Sequence, residues 1–284
     1  ELQVFQIPEQ KNYSLDFDGI DDYVIIPTDN TSLDFFNNNE ISISSWINLG
    51  SYQGLSTIFN NTLEQDDYTL YGFMINSGRL YFVANAGIGN PLFESNGYNI
   101  SDNLLPLNEW VYVSFTYDSE RVRFYVNGEL DFENYVIDSF PNIISESIYI
   151  GYSVGQNNVN FNGEISEINV WDKALTKEQI ESYMTCSPSS EEDGLVGYWN
   201  FNEGQGDTVY DISGNGNHGN IHGATFSQDI PDNNNGCTDE NALNYDSTAL
   251  CDNGSCVYSS EQYNSIEVED GIGQSDVDSA YNVG

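Results

Sequence analysis

Between residues 13 and 172 the chain repeats one local pattern: five to nine residues in which apolar and polar side chains alternate, then a cluster of Asn, Gly, Asp or Ser. The runs are YSLDF, DYVIIP, ISISSWINL, LSTIFN, YTLYGFMIN, RLYFVA, WVYVSFTY, RVRFYVN and SIYIGY. Alternation with a period of two, rich in β-branched and aromatic residues, is the pattern of a half-buried strand. The turn clusters recur at the spacing of a β sandwich. In ISISSWINL, for instance, Ile41, Ile43, Ile47 and Leu49 share one face. In YVNGEL, Asn127 and Gly128 both tolerate the positive φ of a tight hairpin turn. Helical spacing occurs in TKEQIESYM, where Thr176 and Gln179 make a capping box. The pattern therefore predicts an all-β, antiparallel two-sheet sandwich with one short helix.

A further strand-like phrase, GLVGYWNFNEGQGDTVYDISGNGNHGNIHGATF, begins at Gly194, after the sandwich pattern has ended. Its alternation puts Leu195, Trp199 and Phe201 on one face and Val196 and Tyr198 on the other. Five motifs bear on where it pairs: SLDFDGIDDYVIIP, ISISSWINL, LNEWVYVSFTYDSERVRFYVNGEL, IYIGY and FNGEISEINVWDKALTKEQIE, in that order. Together they resemble the laminin G-like domain, a concanavalin A-type jelly roll, over about residues 13 to 185. In that family a phrase like LVGYWNFNEG precedes the FDG–DDYV motif and supplies an edge strand, whereas here it follows. The resemblance implies a circular permutation, in which residues 194–226 return to close the first sandwich. Adjacent termini make such a rearrangement inexpensive. A second sandwich starting at Gly194 lacks the length, since about 58 residues follow Phe226 with no further strand series. The expected organisation is a lead-in at 1–12, a sandwich at 13–230, a small cysteine unit at 236–258 and a linker or tail at 259–284.

Charge narrows the choice of partners. Against 45 Asp and Glu stand 6 Lys and Arg, a formal net charge of -39. Such a surface repels phosphate backbones and anionic lipid, which excludes nucleic acid and membrane insertion as expectations and leaves neutral ligands and divalent cations. Acidic surface also solvates a chain, and that alone accounts for much of the excess. No apolar run approaches the ~20 residues of a membrane span, and the start at Glu1 suggests a processed protein or a piece of a longer one.

The four cysteines, Cys186, Cys237, Cys251 and Cys256, fall late in the chain, as a local disulfide staple would, and imply an oxidising, extracellular or cell-surface setting. The stretch GCTDENALNYDSTALCDNGSC resembles a cysteine and aspartate-rich repeat of secreted Bacteroidota surface proteins. That resemblance favours Cys237 with Cys256 and Cys186 with Cys251. The pairing of Cys186 with Cys237 and Cys251 with Cys256 stands beside it as the alternative.

Three clusters offer hard oxygen ligands to calcium, the expected cofactor. Asp18, Asp21 and Asp22 surround a glycine turn in DFDGIDDY, where the resemblance places a rim cation; Ser166 replaces a further aspartate of the family, with Glu164 and Glu167 beside it. In DISGNGN, Asp211, Asn215 and Asn217 repeat the first half of an EF-hand loop, with His222 at the twelfth position. Asp239, Asp246 and Asp252 lie in the cysteine repeat.

Catalytic patterns are scarce. His218 and His222 have no nucleophile motif beside them, and Glu164 and Glu167, three apart, belong on opposite faces of a strand, which rules out a facing acid–base pair. Trp46, Trp110, Trp171 and Trp199 coincide with core positions of the family, and Tyr52, Tyr71, Tyr98 and Tyr152 are the candidates for stacking on a sugar ring. The expected function is a non-catalytic recognition or adhesion module for a glycan or an extracellular protein. A structural spacer or self-associating filament subunit is the alternative, and a polysaccharide-degrading enzyme the third.

Overall fold

A computed structural model describes residues 12–27, 33, 40–52, 54–63, 68–84, 100–135, 147–152, 160–232, 235–252 and 256–258. The chain forms two compact units, Lys11–Asp232 and a second made of Glu1–Gln10 with Asn233–Gly284. In chain order the first holds β1 (Ser14–Asp18), β2 (Tyr23–Pro27), β3 (Ile41–Leu49), β4 (Leu55–Leu63), β5 (Tyr68–Asn76), β6 (Arg79–Ala84), β7 (Trp110–Tyr117) and β8 (Arg121–Val126). There follow β9 (Glu129–Tyr135), β10 (Ser147–Ile150), β11 (Asn162–Trp171), α1 (Lys177–Thr185), β12 (Leu195–Trp199), β13 (Thr208–Val209), β14 (Gly219–His222) and β15 (Thr225–Ser227).

These strands make two antiparallel sheets, as the alternation predicts. One runs β15-β1-β11-β3-β7-β8-β9 with β12 also on β11, and the other runs β13-β14-β2-β10-β4-β5-β6. The β8–β9 turn places Asn127 and Gly128 at φ 50° and 78°, the left-handed pair that the hairpin needs. Helix α1 carries the expected capping box: the Gln179 amide donates to Thr176 Oγ1 at 3.3 Å, and the Thr176 amide donates to Gln179 Oε1 at 3.0 Å.

The late segment joins this sandwich at several places. Strand β12 pairs with the far half of β11, from Ile168↔Trp199 to Trp171↔Leu195, while β1 takes the near half of the same edge, from Leu15↔Ile165 to Asp18↔Asn162. Strand β14 pairs with β2 in the second sheet, and β15 pairs with β1 in the first. Trp199 carries the segment inward: its ring lies 6.1 Å from that of Phe59 on the opposite sheet, and its Nε1 donates to the Asn217 carbonyl at 2.8 Å. Each such aromatic contributes roughly 1.5–3 kcal/mol by leaving water.

Most of the core lies between the sheets, where alternate residues of nearly every strand meet. A second, smaller cluster covers the outer face of the eight-stranded sheet and comprises Tyr112, Tyr125, Trp171, Leu175, Ile180, Leu195 and Tyr198. Strand bulges explain why some expected faces are exchanged. A register shift between Val170 and Trp171 leaves Leu195 with Tyr198 in the outer cluster and Val196 packed against the main core, the reverse of simple alternation. Of the four tryptophans expected in the core, Trp199 alone lies between the sheets. Trp171 is buried in the outer cluster, Trp46 packs half-buried beside it, and Trp110 donates Nε1 to Asp229 Oδ1 at 3.1 Å on the surface.

In the second unit Asn235–Gly236 pairs in parallel with Cys251–Asp252, and Cys237 is bonded to Cys256. The alternative partner of Cys237 is thereby excluded. Cys186 and Cys251 are also disulfide-bonded, and no described cysteine is free. The tail at 259–284 and the lead-in up to residue 11 lie outside the described residues.

Two outcomes follow. A fragment ending at Thr185 strips Trp199, Phe201 and Val209 from the core and bares half an edge of β11, so it should aggregate on expression; a monomeric fragment with a cooperative melt would count against this packing. Thiol labelling of the denatured, unreduced chain should find no reactive cysteine, and Cys237→Ser, which opens a loop with a sequence separation of 19, should cost about 3 kcal/mol by chain entropy.

Candidate functional site

At the sandwich end where β1 turns into β2, Asp18, Asp21 and Asp22 bring their carboxylates together. One oxygen of each lies within 4.8 Å of the others, with Asp18 and Asp21 exposed and Asp22 buried. The turn that does this is held by its own carboxylates. Asp18 Oδ1 accepts from the Ile20 and Asp21 amides at 2.7 and 3.4 Å, and Asp22 Oδ2 accepts from the Asp18 amide at 2.9 Å. Asn162, at the start of β11, ties the turn to its neighbours: its Nδ2 donates to the Asp18 carbonyl at 3.0 Å, and its Oδ1 accepts from Ser51 Oγ at 2.9 Å. Asn160 Nδ2 donates to the Ile20 carbonyl. Gly223, at φ 81°, packs so close that a Cβ there would lie 1.9 Å from Asp22 Oδ1. Burial pushes the Asp22 carboxyl above its ordinary range, and the negative charges of Asp18, Asp21 and Asp16 add to that push, against the Asp18 amide. Clustered carboxylates and nearby backbone carbonyls suit a hard divalent cation.

The same strands present a ring cluster on the outer face of the seven-stranded sheet. Val24 and Ile26 face the core, so Tyr23 points outward, next in sequence to Asp22. His222 stacks on Tyr23 at 4.5 Å, and Tyr152 and Tyr149 lie 5.3 and 5.7 Å from it. His222 is the register partner of Tyr23 and precedes the Gly223 that packs on Asp22. One rung along, Asn60 pairs with Tyr149; it is fully buried, and both ends of its carboxamide lack a hydrogen-bond partner. Aromatic faces are what a sugar's apolar ring face requires.

The other candidates fall elsewhere. Asp211 is buried, and its oxygens accept three backbone amides, from Tyr198 at 3.0 Å and from Ser213 and Asn217 at 2.9 Å. Asn217 Nδ2 donates to the Val196 carbonyl at 2.9 Å and Asn215 Nδ2 to the Leu195 carbonyl at 3.2 Å, so DISGNGN forms a knot that fastens β12. His218 Nδ1 accepts from the Asp211 amide at 3.0 Å. Asp239 accepts from Asn241 and from Tyr258 Oη, and Asp246 from Thr248. These two and Asp252 are not drawn together: among the described residues, Asp18, Asp21 and Asp22 form the one group of three or more His, Cys, Asp or Glu side chains close enough to share a cation. Tyr71 is buried in the core, Tyr52 donates its hydroxyl to the Leu105 carbonyl at 2.5 Å, and Tyr98 lies outside the described residues.

Glu164 and Glu167 share one face, contrary to simple alternation. A bulge between Ile165 and Glu167 leaves Ile165 and Ile168 both in the core, and the two glutamates pair with Asn48 and Trp46, two apart on β3. They still form no cleft pair. Glu164 accepts from Ser227 Oγ at 2.7 Å and Asn48 Nδ2 at 3.0 Å, whereas Glu167 is buried with Oε2 taken by Ser187 and Tyr198. The signal for Tyr23 was present in the alternation of DDYVIIP. Nothing local marks Tyr149, His222, Asn60 or Asn162, which tertiary pairing alone brings to this end.

A family profile described as the concanavalin A-like lectin/glucanases superfamily matches residues 18–181. No curated protein matches the chain. Among solved structures, a putative carbohydrate binding protein from Bacteroides ovatus is similar at 18% identity and a TM-score of 0.56, covering 78% of this chain and 60% of that one. The chain thus spans less than two thirds of that relative. A heptameric SAP-like pentraxin from Limulus polyphemus gives 17% identity and a TM-score of 0.46, with 62% and 83% covered, and a Trypanosoma rangeli sialidase 17% and 0.38, with 52% and 23%.

The rim and the knot are separable by experiment. Because the pKa of Asp22 is raised on folding, stability without a cation should fall as pH rises through that value, and a bound cation should offset the fall. Calcium at neutral pH should therefore raise the Tm beyond an equal ionic strength of sodium chloride, and Asp22→Asn should abolish that increment. Asp211→Ala should cost on the order of 3 kcal/mol by orphaning buried amides yet leave the calcium increment intact.

Proposed function

The chain belongs to the concanavalin A-like lectin/glucanases superfamily, and from that premise we propose that it is a non-catalytic glycan-recognition module of a secreted or cell-surface protein. The observation that carries this reading is the cluster of Tyr23, Tyr149, Tyr152 and His222 beside the Asp18, Asp21 and Asp22 triad. The rings offer a stacking platform for a saccharide. The triad offers a calcium site next to it, from which a bound ion would meet sugar hydroxyls with its open coordination positions. The cluster includes no Lys or Arg, and with the formal net charge of -39 this favours a neutral glycan over a sulfated or phosphorylated one. The buried Glu167 supports the non-catalytic part of the reading, since no substrate reaches its carboxyl with Ser187 and Tyr198 on it. Two disulfides suit an oxidising compartment, and no described helix is long and apolar enough to cross a membrane.

A glycan array probed in calcium and in chelator tests the proposal. Binding to neutral saccharides in calcium is expected, with Tyr23→Ala reducing affinity about tenfold, on the scale of one lost stacking contact. Absence of binding to any glycan, together with concentration-dependent self-association, would favour the filament-subunit reading instead.

A further inference from the structure

Glu167 is the one carboxyl that the main sheet turns toward the outer cluster and buries there, and it meets no cation. None of the described ion pairs includes it. Its neighbours come from four elements. Ser187, just past α1, donates Oγ to Glu167 Oε2 at 2.9 Å, and Tyr198 of β12 donates its hydroxyl to the same oxygen at 3.3 Å. Asn169 of β11 faces Oε1 from 3.5 Å, and Trp46 of β3 is the register partner. The titratable groups packed around it are the phenols of Tyr112 on β7, Tyr125 on β8, Tyr183 on α1 and Tyr198; further out on the same face lie Glu164 of β11, Arg121 and Arg123 of β8 with Glu133 of β9, Lys173 over the Trp171 ring and Glu192 on the Tyr183 hydroxyl. Burial pushes all four phenols up, so they stay neutral wherever a carboxyl titrates.

Hydrogen bonding and burial act on this carboxyl in opposite directions. Asn169 Nδ2 donates to Oε1 at 3.5 Å and, like the two hydroxyls, favours the ionised form. Against these neutral donors stands the enclosure itself: an ionised Glu167 is a buried charge among aromatic rings with no cation on it, which is costly.

We propose that Glu167 is held as the neutral acid and acts as a pH-sensitive latch, pinning residues 187–198 to the sheet when protonated and releasing them when ionised. The segment it pins includes β12, which closes the sandwich beside β1. Burial likewise pushes the Glu167 carboxyl above its ordinary range, with the hydroxyls of Ser187 and Tyr198 and the Asn169 amide opposing. A carboxyl whose pKa rises on folding adds stability at low pH and loses it as the pH climbs to the folded value. The latch therefore opens as the pH climbs through the folded value and closes in acid.

Hydrogen exchange of the whole protein from about pH 4 to about pH 9, with each amide corrected for its intrinsic rate, tests the latch. In the wild type, protection across residues 187–198 should fall about tenfold per pH unit between the unfolded and folded pKa values. Glu167→Gln, which keeps the shape and cannot ionise, should hold protection constant over that window. Equal slopes in the two proteins would overturn the proposal. Should the variant not fold, the side-chain carboxyl resonance of Glu167 in the wild type decides: titration above the ordinary carboxylate range supports the latch, and titration within it refutes it.

Discussion

One edge of β11 is shared by two strands, and the rest of the molecule is arranged around that constraint. β1 occupies the half from Asn162 to Ile165 and β12 the half from Ile168 to Trp171. A strand edge left bare in a sheet of this length exposes unpaired amides and carbonyls over apolar core. The segment after α1 must therefore come back, and Trp199 anchors its return through Phe59 on the opposite sheet and the Asn217 carbonyl. The Asp211 knot sets the loop that follows, and β14 and β15 then complete an edge of each sheet.

That return also builds both chemically distinctive regions. Because β14 lies beside β2, His222 reaches Tyr23 and Gly223 reaches Asp22, so the ring cluster and the acidic rim stand next to each other. Because β12 lies beside β11, Tyr198 and the chain before it lie over the outer face and seal Glu167. The two environments raise carboxyl pKa values for different reasons. At Asp22 burial is reinforced by three neighbouring carboxylates, which a cation relieves; at Glu167 burial acts without charged neighbours, and a proton is the simplest relief.

The bulges show how local irregularity redirects chemistry. A strict two-residue period sends Glu164 and Glu167 to opposite faces. The extra residue between Ile165 and Glu167 returns both to one face, and a second irregularity at Val170 and Trp171 exchanges the faces of Leu195 and Val196. Neither shift alters the fold, since core positions on both sides of each bulge remain apolar.

The sequence by itself determined the sandwich, the hairpin at Asn127 and Gly128, the capped helix and the acidic turn at Asp18. Each of these depends on residues within a few positions of one another, through alternation, φ preference, capping or a tight glycine turn. Tertiary structure alone decided that Asp211 accepts three backbone amides, that Tyr149 and His222 flank Tyr23, and that Glu167 is sealed. These outcomes depend on which distant strands become neighbours and where one extra residue enters a ladder. Side chains of one type, such as the buried Asp211 and the exposed Asp18, carry no local mark of that difference. Their roles follow from solvent access and partner geometry, which exist only once the sheets have closed.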